Sequence, residues 1–187
     1  MSNTRTQILD LGEELIRTRG FNAFSYKDIS EKLGIKNAAV HYHFPSKEAL
    51  GTAIIQQSID LFIVKEKQWN QLSSKEQLLD FINIYQKSHD KNWSCLMGAL
   101  SSSVDSLPST MQNKLTKMAE YILNRLTQTL IEGLKKGEFH FDEEPRAKAE
   151  LIISSLLSSL LLSKVMHGQI FESIVQSIIL SVNLKTK

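Results

Sequence analysis

The tightest constraint on this chain is the punctuation between Phe24 and Lys47. Ser25 offers a helix N-cap, and Asp28, three residues on, completes a capping box. Ile29 and Leu33 supply one apolar face, and Gly34 stops this short helix. Ile35 is expected as a core anchor in the turn. A second short helix is expected from Asn37 or Ala38 to Phe44, with Val40 and Phe44 four apart and facing inward. Pro45 cannot continue it. Helix, glycine-containing turn, short helix and stop make a helix-turn-helix, the module that lays its second helix in the major groove of duplex DNA. Ala38 and Ala39 let that helix sit close to its neighbours and to DNA. His41, Tyr42 and His43 are left to point outward or along the flank.

The remainder reads as helices. Thr4–Arg19 carries Ile8, Leu11, Leu15 and Ile16 at helical spacing, with Gly20 as its stop. Phe21 and Phe24 pack the turn that follows. Ser46 caps a helix reaching Trp69, with Leu50, Ile54, Ile55, Ile59, Leu61 and Phe62 along it. Ser73 or Ser74 caps another, with Leu78, Leu79, Ile82 and Tyr85 expected inward. Cys95–Val104 is expected as a short apolar helix. Pro108 sits in the first turn of a long helix ending near Lys136, with Met111, Leu115, Met118, Ile122, Leu126 and Leu130 at helical spacing. Asp142 or Glu143, then Pro145, opens a helix expected to reach His167, and the last runs Ile170–Leu184. No strand alternation persists, so the fold class is all-α with about nine helices. The expected division is a three-helix head, residues 1–47, and a helical body, residues 48–187, joined without a flexible linker.

Composition narrows the functional classes. A chain of 187 residues buries a core unaided. The single Cys95 excludes an internal disulfide framework and fits a reducing compartment. Its apolar neighbours favour an inert buried thiol over a redox sensor. No signal peptide is visible after the N-terminal Met-Ser-Asn-Thr-Arg-Thr-Gln, and a cytoplasmic location is expected. The apolar stretch Leu151–Met166 is broken by four serines before Ser163 and Lys164, so it reads as a buried or interface helix, not a membrane span. With 22 basic and 20 acidic residues the net charge is +2, which by itself says little about nucleic acid. Arrangement has to carry that argument. No Ser-His-acid set, metal-ligand spacing, glycine-rich phosphate loop or carboxylate pair stands out. An enzyme, a cofactor and a bound metal are therefore not expected.

Ten residues are candidates for DNA contact: Ser25, Tyr26, Lys27, Lys36, Asn37, Ala39, His41, Tyr42, His43 and Lys47. Lys36 and Asn37 open the second short helix, where Lys suits guanine and Asn suits adenine; Asn37 could equally be the N-cap. His41 lies one turn on, within reach of a base edge or a phosphate. Tyr42 and His43 suit phosphates, although His43 could pack on the next helix. The hydroxyl and first amides at Ser25, Tyr26 and Lys27 suit a phosphate. Lys47, in the first turn of its helix, gains nothing from the helix dipole, and a nearby phosphate would explain it. Inside the body, Phe62, Trp69, Tyr85, Trp93, Met97, Met118, Tyr121 and Ile122 are candidates to line a ligand pocket, and each also fits an ordinary core. Few charges enter that set, so a small, mainly apolar ligand is expected.

From Phe24 to Leu50 the sequence resembles the TetR/AcrR family of bacterial regulators. The short helix closed by His43, Phe44, Pro45, Ser46 and Lys47 looks like that family's recognition helix and its exit. Cys95-Leu-Met-Gly-Ala-Leu, followed by Ser106-Leu-Pro, resembles a large subgroup. The resemblance implies a ligand-binding and dimerisation body, a homodimer formed by the last two long helices at about 145–184, a palindromic operator, and repression relieved by a small molecule. The family usually has Tyr where this chain has His41 and often Thr or Ser where it has Ala39, so no operator sequence carries over.

Overall fold

A computed structural model describes residues 3–166 and 168–182. Among them are nine α-helices: α1 Thr4–Arg19, α2 Tyr26–Leu33, α3 Asn37–His43, α4 Lys47–Trp69, α5 Ser74–Asp90, α6 Leu96–Ser101, α7 Ser109–Lys135, α8 Pro145–Val165 and α9 Ile170–Ser181. Short 3-10 turns at Phe21–Ala23 and Val104–Ser106 complete the order. The all-α fold with its helical head is as the sequence implies. The expected helix ends at His167 and Leu184 lie outside the described residues.

The helix boundaries follow local chemistry. Asn3 caps α1, its side chain accepting from the Arg5 amide. The Ser73 and Glu76 side chains form a reciprocal capping box at α5. The α8 cap is Glu144, not Asp142 or Glu143; its carboxylate accepts from the Ala147 amide at 2.9 Å, and Pro145 takes the first helical position. The expected helix from Cys95 to Val104 is shorter and gives way to the 3-10 turn.

The chain divides into two compact units, each with its own core. The first comprises Met1–Ile63 and Leu96–Met118. Here α1 packs on α2, α3 and α6, burying Ile8, Leu15, Ile16, Ile29, Val40, Phe44 and Leu50. Gly51 marks a close approach. A Cβ there would fall 2.5 Å from the Met111 methyl and 2.9 Å from the Phe21 ring, so even alanine would push those side chains away.

The second unit comprises Val64–Cys95 and Ala119–Lys187. Here α8 packs on α5 and α9. Trp69, Phe81, Leu126, Leu130, Phe139, Ile152, Leu156 and Phe171 are buried. This core is threaded by charge and polar groups. Gln77 donates to the carbonyls of Trp69 and Leu72, and its amide oxygen accepts from Arg125 and Thr129. The Arg125 guanidinium also pairs with Glu66 at 3.1 Å and covers the Trp69 ring. One sequence expectation fails on exposure. Leu79, expected inward, is exposed, while Gln77 and Phe81 are buried beside Leu78, Ile82 and Tyr85 on α5. Helical spacing alone cannot tell which flank of a stripe meets a neighbour.

Candidate nucleic-acid interface

The helix-turn-helix is held by hydrogen bonds at each corner. At the start of α2 the Asp28 carboxylate accepts from both the Ser25 amide (2.8 Å) and the Ser25 hydroxyl (2.7 Å). These bonds, the hydroxyl foremost, hold the Asp28 carboxyl below its ordinary value. At the other end Gly34 adopts a left-handed conformation, φ 65°. The Ile35 amide then reaches back to the Ser30 carbonyl at 3.0 Å, closing a Schellman turn. Only glycine enters that conformation without steric cost. Ile35 is half-buried, a weaker anchor than its position in the sequence suggests.

α3 spans seven residues and buries only Val40. Its N-cap is Lys36, and no side chain caps it, so Asn37 is not used as a cap. Lys36, Asn37, Ala38, His41 and Tyr42 are exposed, Tyr42 at 84%. Ala39 and His43 are half-buried, and the His43 ring meets the Tyr42 ring edge-on at 5.2 Å. Among the candidates on α2, Ser25 and Lys27 are exposed, and Lys27 pairs loosely with Glu31 at 3.6 Å.

Two candidates sit differently from their sequence reading. The Tyr26 side chain turns inward and is only 7% exposed. Its hydroxyl donates to the Phe44 carbonyl at 2.9 Å, and burial pushes its pKa up to about 12. The helical period carried this signal: Tyr26, Ile29, Ser30 and Leu33 occupy one stripe, whose first three members are buried. Lys47 has an intramolecular reason for its place. Its ammonium donates to the Phe24 carbonyl and lies over the Phe24 and Phe21 rings, at 4.3 and 4.9 Å. Desolvation lowers its pKa, and the Asp28 charge partly offsets that.

The eight pocket candidates are divided between the units. Phe62, Met97 and Met118 belong to the first; Trp69, Tyr85, Trp93, Tyr121 and Ile122 belong to the second. Trp69 is sealed, 1% exposed, and its indole donates to Asp80 at 2.7 Å. Tyr85 is buried, while Trp93, Tyr121 and Ile122 are half-buried. The Tyr121 hydroxyl donates to Glu66, the same carboxylate that Arg125 pairs with, and its pKa is raised to about 12, by desolvation first and Glu66 second. These charged residues beside the aromatic set were not among the sequence candidates. Cys95 is half-buried.

A second surface is apolar. On α8, Leu151, Leu161, Leu162 and Val165 are exposed, Val165 at 83%, as is the C-cap residue Met166, and on α9 Leu180 is 66% exposed. No helix among the described residues is long and apolar enough to cross a membrane. No group of three His, Cys, Asp or Glu residues among them could hold a metal ion.

The comparisons with known proteins agree with this architecture. The family model described as "Bacterial regulatory proteins, tetR family" matches residues 8–54, the whole helix-turn-helix with its flanks. The crystal structure of a TetR transcriptional regulator from Legionella pneumophila is similar at 33% identity, with 98% of this chain and 99% of that chain covered and a TM-score of 0.86. A TetR-family regulator from Agrobacterium tumefaciens matches at 27% identity over 95% of this chain and 96% of its own, with a TM-score of 0.85. The HTH-type transcriptional repressor NemR of Escherichia coli (strain K12) is 24% identical over 159 residues, 80% of this chain and 78% of NemR. A DNA-binding head and a near-full-length relative at one-third identity lead to one assignment: the chain is a DNA-binding transcriptional regulator, and it belongs to the TetR/AcrR family.

Proposed function

We propose that this regulator is a ligand-responsive repressor that acts as a homodimer on a palindromic operator in the bacterial cytoplasm. In this reading residues 1–47 are the DNA-binding head and residues 48–187 the ligand-binding and dimerisation body. The observation that carries it is the pairing of two unlike surfaces. α3 offers Lys36, Asn37, His41 and Tyr42 to solvent, and α8 and α9 offer a leucine- and valine-bearing face. Exposed apolar side chains at that density mark a surface made to be covered. A self-complementary helix pair gives a closed twofold dimer, which matches two half-sites about one helical turn apart.

Ser25 and Lys27 with Tyr42, His43 and Lys47 are assigned to phosphates, and Lys36, Asn37 and His41 to base edges, with Ala39 allowing close approach. Tyr26 contributes at most its backbone amide. The name of NemR as a repressor supports the sign of regulation. The ligand is assigned to the second unit, near the half-buried Trp93, Tyr121 and Ile122; the apolar majority of that set favours a small, mainly apolar molecule.

The test is selection of an operator from genomic fragments, followed by titration of the preformed complex with apolar metabolites. Tryptophan fluorescence reports binding. Two protomers per duplex and a loss of operator affinity of about 5–150-fold with a hit are expected. One protomer per duplex would overturn the dimer. Hits that bind and leave operator affinity unchanged would overturn the regulation.

A further inference from the structure

We infer that Tyr26, from the supporting helix α2, is the positioning residue of the recognition helix: its ring sets the orientation of His41, and its hydroxyl fixes the exit of α3. The inference rests on the proposal that His41 meets a base edge. Three observations carry it. The Tyr26 and His41 rings meet edge-on, with centroids 4.8 Å apart and planes at 69°. An exposed imidazole otherwise turns through several rotamers of similar energy, and a fixed ring edge beside it removes some of them. The Tyr26 hydroxyl donates to the Phe44 carbonyl at 2.9 Å. Phe44 is the C-cap of α3, and its own amide closes the last turn on the Val40 carbonyl at 2.9 Å. The carbonyl of a buried C-cap has no helical partner of its own, so the tyrosine supplies one. Burial keeps the phenol protonated throughout the physiological range, so this donor is always present.

One side chain thus reaches α3 at two points, His41 and Phe44. Losing either point has a distinct outcome. Removing the hydroxyl loosens the exit of α3 but leaves the ring beside His41. Removing the ring frees His41 as well. The preorganisation argument is general: a contact side chain held before binding loses less rotamer freedom when it binds.

The experiment selects high-affinity duplexes from a randomised library with the wild-type protein and with Tyr26→Phe, Tyr26→Leu, Tyr26→Met and His41→Ala. Circular dichroism confirms that each is folded. His41→Ala should relax base preference at one position per half-site, by about tenfold. Tyr26→Leu and Tyr26→Met should relax the same position and no other. Tyr26→Phe should keep that preference and lower affinity for all duplexes alike, with a lower melting temperature. In a double-mutant cycle, Tyr26→Leu should add little to the relaxation already caused by His41→Ala. If His41→Ala leaves the selected sequence unchanged, the base-contact proposal for His41 fails, and the inference with it. If His41→Ala relaxes a position that both ring-less variants keep, the positioning inference alone fails. Should neither ring-less variant fold, nuclear Overhauser contacts between the two rings of the wild-type protein decide. Their persistence in the DNA complex supports the inference, and their loss there overturns it.

Discussion

The two units put their polar chemistry in opposite places. In the first, the core is hydrocarbon and aromatic apart from Ser30 and the Tyr26 hydroxyl, and Lys27, Lys36, Asn37 and His41 lie at the surface. In the second, Arg125, Gln77, Thr129 and Lys148 are inside or nearly so, while Leu161, Val165 and Leu180 stand in solvent. An outward polar face suits a hydrated, charged partner such as a phosphate backbone. An outward apolar face suits another protein surface, where water is expelled. A buried ion pair contributes little net stability compared with packed hydrocarbon, but losing one partner is costly. The contrast teaches that the two units differ most in the chemistry each leaves outside.

The most severe way to break this contrast is to charge the apolar face. Leu161→Glu with Val165→Glu should leave only the 21.2 kDa species in sedimentation. Operator affinity should then fall by about 100-fold or more, because two linked heads lose their mutual effective concentration. A dimer that survives both substitutions would mean the face is not the interface.

Next comes the half-buried ion pair of the second unit, Arg125 with Glu66. Arg125→Ala leaves Glu66 without its guanidinium, and Gln77 and Thr129 without a shared partner. A loss of about 2–3 kcal/mol is expected, with a melting temperature lower by roughly 5–10 °C. Arg125→Ala together with Glu66→Leu should recover part of it; no recovery would show that the pair is not the unit of stability.

Lys47 sharpens the comparison because it is both internal and near the polar face. Lys47→Ala should reduce the slope of log affinity against log salt by about 0.9, one phosphate contact. It should also lower the melting temperature, since Phe24 loses the cation over its ring and at its carbonyl. An unchanged slope with a lowered melting temperature would give Lys47 to the fold alone.

The smallest expected effect is on pH dependence. The folded Asp28 carboxyl lies below the ordinary value of 3.8, held there by Ser25. The stability it adds is complete above that unfolded value and is lost as pH falls through the lower folded one. Asp28→Asn should therefore flatten the fall of melting temperature only below about pH 4. An equal slope in both proteins would remove Asp28 from the acid response.

Much of this was legible because helix ends are local events. Ser25 with Asp28, Gly34 before Ile35, and Pro145 at the head of α8 each act within a few residues, so the sequence displays them. The fold family was legible for the same reason: its signature is contiguous from Phe24 to Leu50. The partners of side chains were harder to see. Leu79 lies on the edge of an apolar stripe, and exposure there depends on which helix arrives. Lys47 is explained by Phe21 and Phe24, and Arg125 by Glu66 and Gln77, all brought together only by folding. Tyr26 is different: its inward turn is written in the period of α2, where it shares one buried stripe with Ile29 and Ser30.

The shallow seat of α3 has a consequence for how such a regulator changes over time. Only Val40 anchors the seven-residue helix in the core, so most substitutions at Asn37, Ala38 or Tyr42 fall on a surface where typical costs are within about 0.5 kcal/mol. The reading head can drift through sequence space with the scaffold untouched. A duplicated copy of this gene could therefore acquire a new operator before its body acquires a new ligand, and the two inheritances need not travel together.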